Sequence, residues 1–405
     1  TVSAVMLIFS VFIMSAVSYG YYFLPNEVSV LDNRFSDFNS VFKFSPVSKG
    51  SDKSSLKVDS NNLKESTARF SLFNIFPIKE SKVNLTQRRY VVPSGKAFGI
   101  KLYTQGVIVV QTQSILSAGK KINPSQESGL RVGDVILKIN SKQITQNSDV
   151  AEIFENSNGE KVEIEFERNS EQKTLYLQPV LSDEDGKYRA GIWVRDSSAG
   201  IGTMTYYDKT NSIFAGLGHP VCDIDTGDIM PLSSGKCVEA HIYNCYKGNK
   251  GTAGELCGSI SDESIGDLKL NSNMGIYGII DKINEEDEVI PVALNQEIKE
   301  GKAQIIATVN QQGPQYYDVE IKKIYSSINS NTKNMLIEVT DEKLIAQTGG
   351  IVQGMSGSPI IQNGMLVGAV THVLINNPLQ GYAIFAENMI KTEDSLNISI
   401  EKQAS

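Results

Sequence analysis

The sequence predicts a mainly β protein. An α+β block is expected ahead of two small antiparallel barrels, with one apolar helix at the N-terminus. Three observations carry this. Short runs rich in Val, Ile and Tyr, bounded by Gly, Asn, Asp and Ser, crowd residues 186–402. A turn feeding a period-two strand occupies residues 128–140. The first 26 residues carry no charge, and residues 5–17 are almost wholly apolar.

Taken in order, the apolar stretch is long enough, at roughly 20 residues, to span a bilayer as a helix. Ser15-Ala16-Val17-Ser18 also offers small residues to a signal peptidase. No amphipathic pattern marks it as a core helix, so a transmembrane signal anchor over residues 1–25 is expected, placing the rest of the chain outside the cytoplasm. Residues 26–88 read as a polar linker, rich in Ser, Asn and Lys, with one strand or helix near 68–78 docking on the body.

Residues 89–182 carry a second signal. Ser128-Gly129-Leu130-Arg131-Val132-Gly133-Asp134-Val135-Ile136-Leu137-Lys138-Ile139-Asn140 resembles the small-Gly-Leu-x-x-Gly-Asp-x-Ile-Leu-x-Ile-Asn segment of PDZ domains. Phe98-Gly99-Ile100-Lys101 resembles their peptide-carboxylate loop, with a groove helix expected at 148–154. PDZ domains bind extended peptides by strand addition. The ligand expected here is a substrate tail, a membrane partner or the chain's own linker.

In the last block, Gly354-Met355-Ser356-Gly357-Ser358-Pro359 precedes Ile360-Ile361, the turn Asn363-Gly364 and Leu366-Val367-Gly368-Ala369-Val370. Glycines flanking a serine let the backbone turn sharply and aim N–H groups at a developing oxyanion. The pattern resembles the Gly-x-Ser-Gly-Gly-Pro nucleophile loop of chymotrypsin-like peptidases, and the length suits their double β-barrel. Ser356 is the expected nucleophile, with Ser358 as its rival, and the N–H groups of Gly354 and Ser356 form the expected oxyanion hole.

A serine needs a base within hydrogen-bond reach, and the chain holds three histidines. His219 leaves an apolar run for a Gly-Pro-flanked loop and comes before the serine, as His-then-Asp-then-Ser order requires. His241 alternates within a strand and reads as structural. His372, after the hairpin, falls where the resemblance to chymotrypsin-like peptidases puts the downstream strand that lines the specificity cleft, so a substrate contact is expected there rather than a base. For the orienting acid, Asp223, Asp225, Asp228, Asp281, Asp318 and Asp341 all remain open on spacing alone.

Composition excludes other classes. A net charge of -8 with no basic stripe argues against nucleic acid. No phosphate loop and no His-Glu-x-x-His pair is present, so no cofactor and no metal is expected. Cys222, Cys237, Cys245 and Cys257 are compatible with one or two disulfides in an exported domain or with unpaired thiols.

The layout as a whole resembles the sporulation stage IV B (SpoIVB) serine peptidase family, most specifically in Gly216-Leu217-Gly218-His219-Pro220 and in the run 349–360. The resemblance implies a triad of His219, Asp341 and Ser356, although Asp341 lies only 15 residues before the serine. It also implies a membrane-tethered endopeptidase in the space between forespore membranes. Such an enzyme cuts a SpoIVFA-like membrane regulator of an intramembrane protease, triggering sigma factor processing, and cuts itself in its N-terminal region, between residues 26 and 89. Two other readings stand beside it: an HtrA-like envelope quality-control protease, where PDZ follows rather than precedes the peptidase, and a non-catalytic PDZ scaffold.

Overall fold

The computed structural model describes residues 2–24, 27–31, 42–46, 66–72, 75–325 and 332–404. Helix α1 (Val2–Phe23) has no acid in its first turn and no base in its last. Met6, Leu7, Ile8, Val11, Phe12 and Met14 on it are exposed. Lys79 Nζ donates to Leu24 O at 2.6 Å and Tyr21 O at 3.4 Å, setting a cation against the negative end of the helix. Among the described residues, which omit several α1 side chains, no helix is long and apolar enough to cross a membrane. The expected spanning segment is thus described only as an apolar helix docked by its C-terminal end.

The expected polar linker is partly a folded sheet. Strands β1 (Glu27–Leu31), β2 (Phe42–Pro46), β3 (Ser66–Leu72) and β4 (Phe76–Thr86) run in the order β1-β4-β3-β2. Val28, Val30, Phe70, Leu72 and Val83 form its core with Leu24. The pairing of β1 with β4 is parallel, joining residues 55 positions apart (Glu27 with Lys82), which local patterning does not reveal. Ser29 anchors the sheet to the body through Glu387 and through Gln296 Nε2, which donates to Ser29 O at 2.6 Å. Residues 32–41 and 47–65, where much of the expected linker and self-cleavage zone falls, lie outside the described residues.

The body begins with β5 (Tyr90–Pro93) and the long β6 (Ala97–Thr112), then the hairpin β7 (Ile115–Ser117) and β8 (Lys120–Ile122). Helix α2 (Pro124–Ser128) starts with a proline after the Asn123 cap and stops at Gly129, φ 89°. Strands β9 (Val135–Ile139) and β10 (Lys142–Gln143), helix α3 (Asn147–Glu155), β11 (Val162–Arg168), β12 (Glu171–Leu177) and the short pair β13 (Val180–Leu181) and β14 (Tyr188–Arg189) complete the α+β block. Leu130, Ile136, Ile139, Val150, Phe154 and Ile164 fill its core. Period-two burial in β11 and an amphipathic α3 are what lay these side chains on one face.

Two barrels follow. The first uses β15 (Ile192–Tyr207), β16 (Ile213–Gly216), β17 (Leu232–Tyr246), β18 (Glu255–Ser272) and β19 (Gly275–Ile280), with β20 (Ile290–Pro291) paired to β5 at its margin. Its ladder runs β6-β17-β18-β19-β16-β15 and returns to β6, so it closes on itself. The second is a closed barrel, β21 (Gly301–Thr308), β22 (Pro314–Ile324), β23 (Met335–Val339), β26 (Gln380–Phe385), β25 (Met365–Val373) and β24 (Pro359–Gln362) in that order. Helix α4 (Glu342–Thr348) precedes the serine loop and α5 (Ala386–Ala404) ends the chain.

The first barrel borrows β6 from the stretch assigned by sequence to the PDZ-like block. Phe98, Ile100 and Leu102 are buried in its core beside Met204, Phe214, Leu217 and Leu268. Residues 97–103 pair with β15 on one side, and 98–104 with β17 on the other. The expected peptide-carboxylate loop Phe98-Gly99-Ile100-Lys101 is therefore the interior of a two-sided strand. A ladder occupied on both edges has no N–H or C=O row left for an added peptide, so that assignment is corrected.

Candidate active site

The nucleophile loop is held by the first barrel although it belongs to the second. Thr203 N donates to Ser356 O at 2.9 Å and Thr203 Oγ1 to Gly354 O at 2.8 Å, while Thr205 Oγ1 donates to Gly357 O at 2.8 Å. Gly357 N closes on Val370 O at 2.7 Å. Gly354 and Gly357 have φ of 95° and 97°, which only glycine adopts without strain. The loop thus presents Ser356, half-buried, at the junction of the barrels.

His219 comes to the same place from the end of β16. Leu217 N donates to Thr203 O at 3.2 Å, and a Cβ on Gly218 would sit 2.9 Å from Thr371 Cγ2. Ser356 Oγ itself donates to Thr371 O at 2.8 Å. Serine, histidine and Thr371 therefore share one small neighbourhood. In this resting arrangement the hydroxyl proton is given to the Thr371 carbonyl, and it must be re-aimed to be offered to an imidazole. Unliganded sites commonly show such loose geometry.

The imidazole of His219 is oriented by backbone. Its Nδ1 lies 2.8 Å from Pro220 O, and a carbonyl can only accept, so Nδ1 carries the proton and Nε2 keeps its lone pair. Burial pushes the pKa of His219 below its usual value, against a smaller opposing effect of the Pro220 carbonyl. A neutral ring with a free Nε2 is the state a general base requires. The sign gives a test: the ring stays unprotonated to lower pH, so the acid limb of kcat/KM should have its midpoint below about 6.5. A midpoint at or above 7 would contradict the assignment.

Asp341 does not join them. It is the N-cap of α4: Oδ1 accepts from Lys343 N at 2.9 Å and Leu344 N at 3.0 Å, and Oδ2 from Asp318 N at 3.3 Å. Among the described residues, no carboxylate hydrogen-bonds His219. The partner of His219 Nδ1 here is the Pro220 carbonyl. Asn caps helices as well as Asp, so Asp341→Asn should keep hydrolysis within a few-fold of wild type. A loss approaching the 10⁴-fold seen when a triad acid is neutralised would reverse this reading.

The other expected residues fall as follows. The N–H groups of Gly354 and Ser356 have no hydrogen-bond partner among the described residues, leaving both free as donors. Ser358 is fully buried with its Oγ unpartnered, out of reach of any substrate. His372 on β25 has an exposed outer face, but its ring packs 5.2 Å from that of His219, and this partial burial, then His219 and Lys333, lower its pKa. His241 is exposed on β17 and lines a separate cleft of about 790 Å³ with Lys96, Tyr207 and Glu263.

Asp223, Asp225 and Asp228 lie in the loop after His219, and Asp281 accepts from Ser264. All four cysteines are free thiols, and burial pushes the Cys237 thiol well up. Among the described residues no group of three or more His, Cys, Asp or Glu could hold a metal ion.

Sequence reasoning missed Thr203 and Thr205, the clamps on the serine loop, and the Pro220 carbonyl. Two threonines at i and i+2 in an apolar strand were the one available hint. It also missed the open strand edge of the α+β block. From 192 to 198, β15 pairs among the described residues with β6 alone. Its neighbour on the other side is α3, whose first N–H donates to Asp196 Oδ2 at 2.9 Å.

Two family models match parts of the chain. The family model described as SpoIVB peptidase S55 matches residues 186–390, just over half of the chain, and a PDZ domain model matches 118–168. A protein named "Putative zinc metalloprotease CPE1693" from Clostridium perfringens is 36% identical over 70 residues, 17% of this chain and 21% of that protein. The chain therefore spans about a fifth of that relative's length. The solved PDZ domain of an SdrC-like protein from Listeria monocytogenes aligns with 22% of this chain and 87% of its own, at 20% identity and a TM-score of 0.18.

Proposed function

The chain belongs to the SpoIVB peptidase S55 family, a family of serine peptidases, and from that premise we propose that it hydrolyses peptide bonds with Ser356 as nucleophile and His219 as base. The observation that carries the proposal is the meeting of the two loops across the barrel junction, with Nδ1 of His219 held by the Pro220 carbonyl. Ser356 attacks the scissile carbonyl. His219 takes its proton and returns it to the leaving amine, while the Pro220 carbonyl stabilises the imidazolium through Nδ1–H. The free N–H groups of Gly354 and Ser356 receive the oxyanion, a donor being worth about 3 kcal/mol in the transition state. His372, exposed beside the base, lines the cleft where substrate lies.

The PDZ domain recruits an extended peptide, and the unpaired edge of β15 beside α3 supports this better than residues 98–101 do. The wider reading is a membrane-tethered enzyme of the forespore intermembrane space. It cuts a SpoIVFA-like regulator to release sigma factor processing during sporulation, and it cuts itself between residues 26 and 89. The tether reading rests on the charge-free, largely apolar stretch of the first 26 residues, within which α1 as described is not long and apolar enough to cross a membrane. Retention of the full chain in membranes after alkaline carbonate washing supports the anchor, and its release would remove it. Intact-mass comparison of wild type with Ser356→Ala tests self-cleavage: the wild type should be shorter by a fragment ending within residues 26–89, and identical masses would contradict it. Rapid digestion of unfolded casein would favour a housekeeping protease over a selective one.

A further inference from the structure

The loop that holds His219 in place is pinned at two points. At its base, Val221 N donates to Asn271 Oδ1 at 2.9 Å, and Asn271 Nδ2 donates to Val221 O and Met230 O at 2.8 and 2.9 Å. At its tip, Asp223 accepts at Oδ1 from Asp225 N and Thr226 N at 3.0 and 2.9 Å. The other oxygen of Asp223, whose side chain is 0% exposed, is paired with Arg195 Nη1. Arg195 Nη2 reaches Asp225 at 2.6 Å.

Arg195 comes from the end of β15 that is shared with the PDZ block. It stands in the first half of β15, where Ile192 and Val194 pack on the core of the PDZ block and where the strand edge toward α3 is unpaired. The same strand, eight residues on, supplies Thr203 to the serine loop. A single strand thus touches both halves of the active site and the peptide-binding edge.

We infer that Arg195 is a positioning residue through which the PDZ domain sets the orientation of His219. The physical route is short. Without the guanidinium, Asp223 is a buried carboxylate with no cation, a state costly enough that the loop must open to hydrate it. Opening displaces Pro220, whose carbonyl fixes the Nδ1 proton of His219, and the imidazole loses both its orientation and part of its burial. A peptide that adds to the free edge at 192–198 acts on the strand that carries Arg195, giving the domain a handle on the base. This inference rests on the reading of His219 as the base of Ser356.

The test uses the full chain with a peptide substrate and an active-site fluorophosphonate. Arg195→Gln should lower kcat roughly tenfold with KM within twofold, as expected when a catalytic group is misplaced rather than lost. The acid limb should move upward, toward the value of a hydrated imidazole, and Arg195→Lys should recover most of both. A lower melting temperature with kcat and the pH midpoint unchanged would overturn the inference. If Arg195→Gln does not fold, the double variant Arg195→Gln/Asp223→Asn decides, because it leaves no buried charge for the loop to hydrate: kcat and pH midpoint near wild type support the route through Asp223, and a folded double variant with kcat still lowered tenfold overturns it. Wild type that is not labelled at Ser356 sinks the peptidase reading instead, so the two failures are told apart.

Discussion

Replacing Ser356 with alanine is expected to lower peptide hydrolysis by about six orders of magnitude in kcat, the scale found when the nucleophile of a serine peptidase is removed, while leaving the fold intact. The side chain makes one hydrogen bond, to Thr371 O, and is half-buried. Losing it forfeits about 1 kcal/mol at most. Denaturant midpoint and hydrolysis measured on one preparation check both halves. Residual activity near wild type, with loss in Ser358→Ala, would transfer the role to a residue that is here fully buried.

The second large effect concerns backbone. A Cβ on Gly357 would lie 1.9 Å from Thr203 O and 2.5 Å from Leu217 N, at a φ of 97°. Both obstacles are main-chain atoms of the strand and loop that hold the two catalytic side chains together, so neither can swing aside. Gly357→Ala should destabilise the protein by about 3 kcal/mol or more and abolish fluorophosphonate labelling. Gly200→Ala is the control: it has no positive φ and nothing within 4 Å of its Cβ, and should label like wild type. Normal stability of Gly357→Ala would mean that the barrels do not meet as described.

Much of the site was legible because its chemistry is written locally. Gly354-Met355-Ser356-Gly357 and Gly218-His219-Pro220 are short runs whose glycines announce unusual backbone, and both lie where the serine and histidine come together. The acid was not legible. An Asp after a strand and before Glu-Lys-Leu has the local chemistry of a helix cap, and the cap is what Asp341 forms, whatever the family spacing suggests. Phe98-Gly99-Ile100-Lys101 failed for a related reason: the motif is local, but its exposure depends on β15 and β17, which arrive about 100 and 140 residues later in the chain. The sheet of β1 to β4 was hidden by a parallel long-range pairing. The block boundaries blurred because β6 and β15 each serve two cores at once.

The central claim is that an imidazole held by a backbone carbonyl activates Ser356. The pH dependence of fluorophosphonate labelling, with the modified residue located by mass spectrometry, addresses it directly. The account predicts labelling at Ser356 that falls off only below about pH 6.5, disappears in His219→Ala and persists in Asp341→Asn. Labelling that survives in His219→Ala, or that vanishes in Asp341→Asn while that variant remains folded, would contradict it.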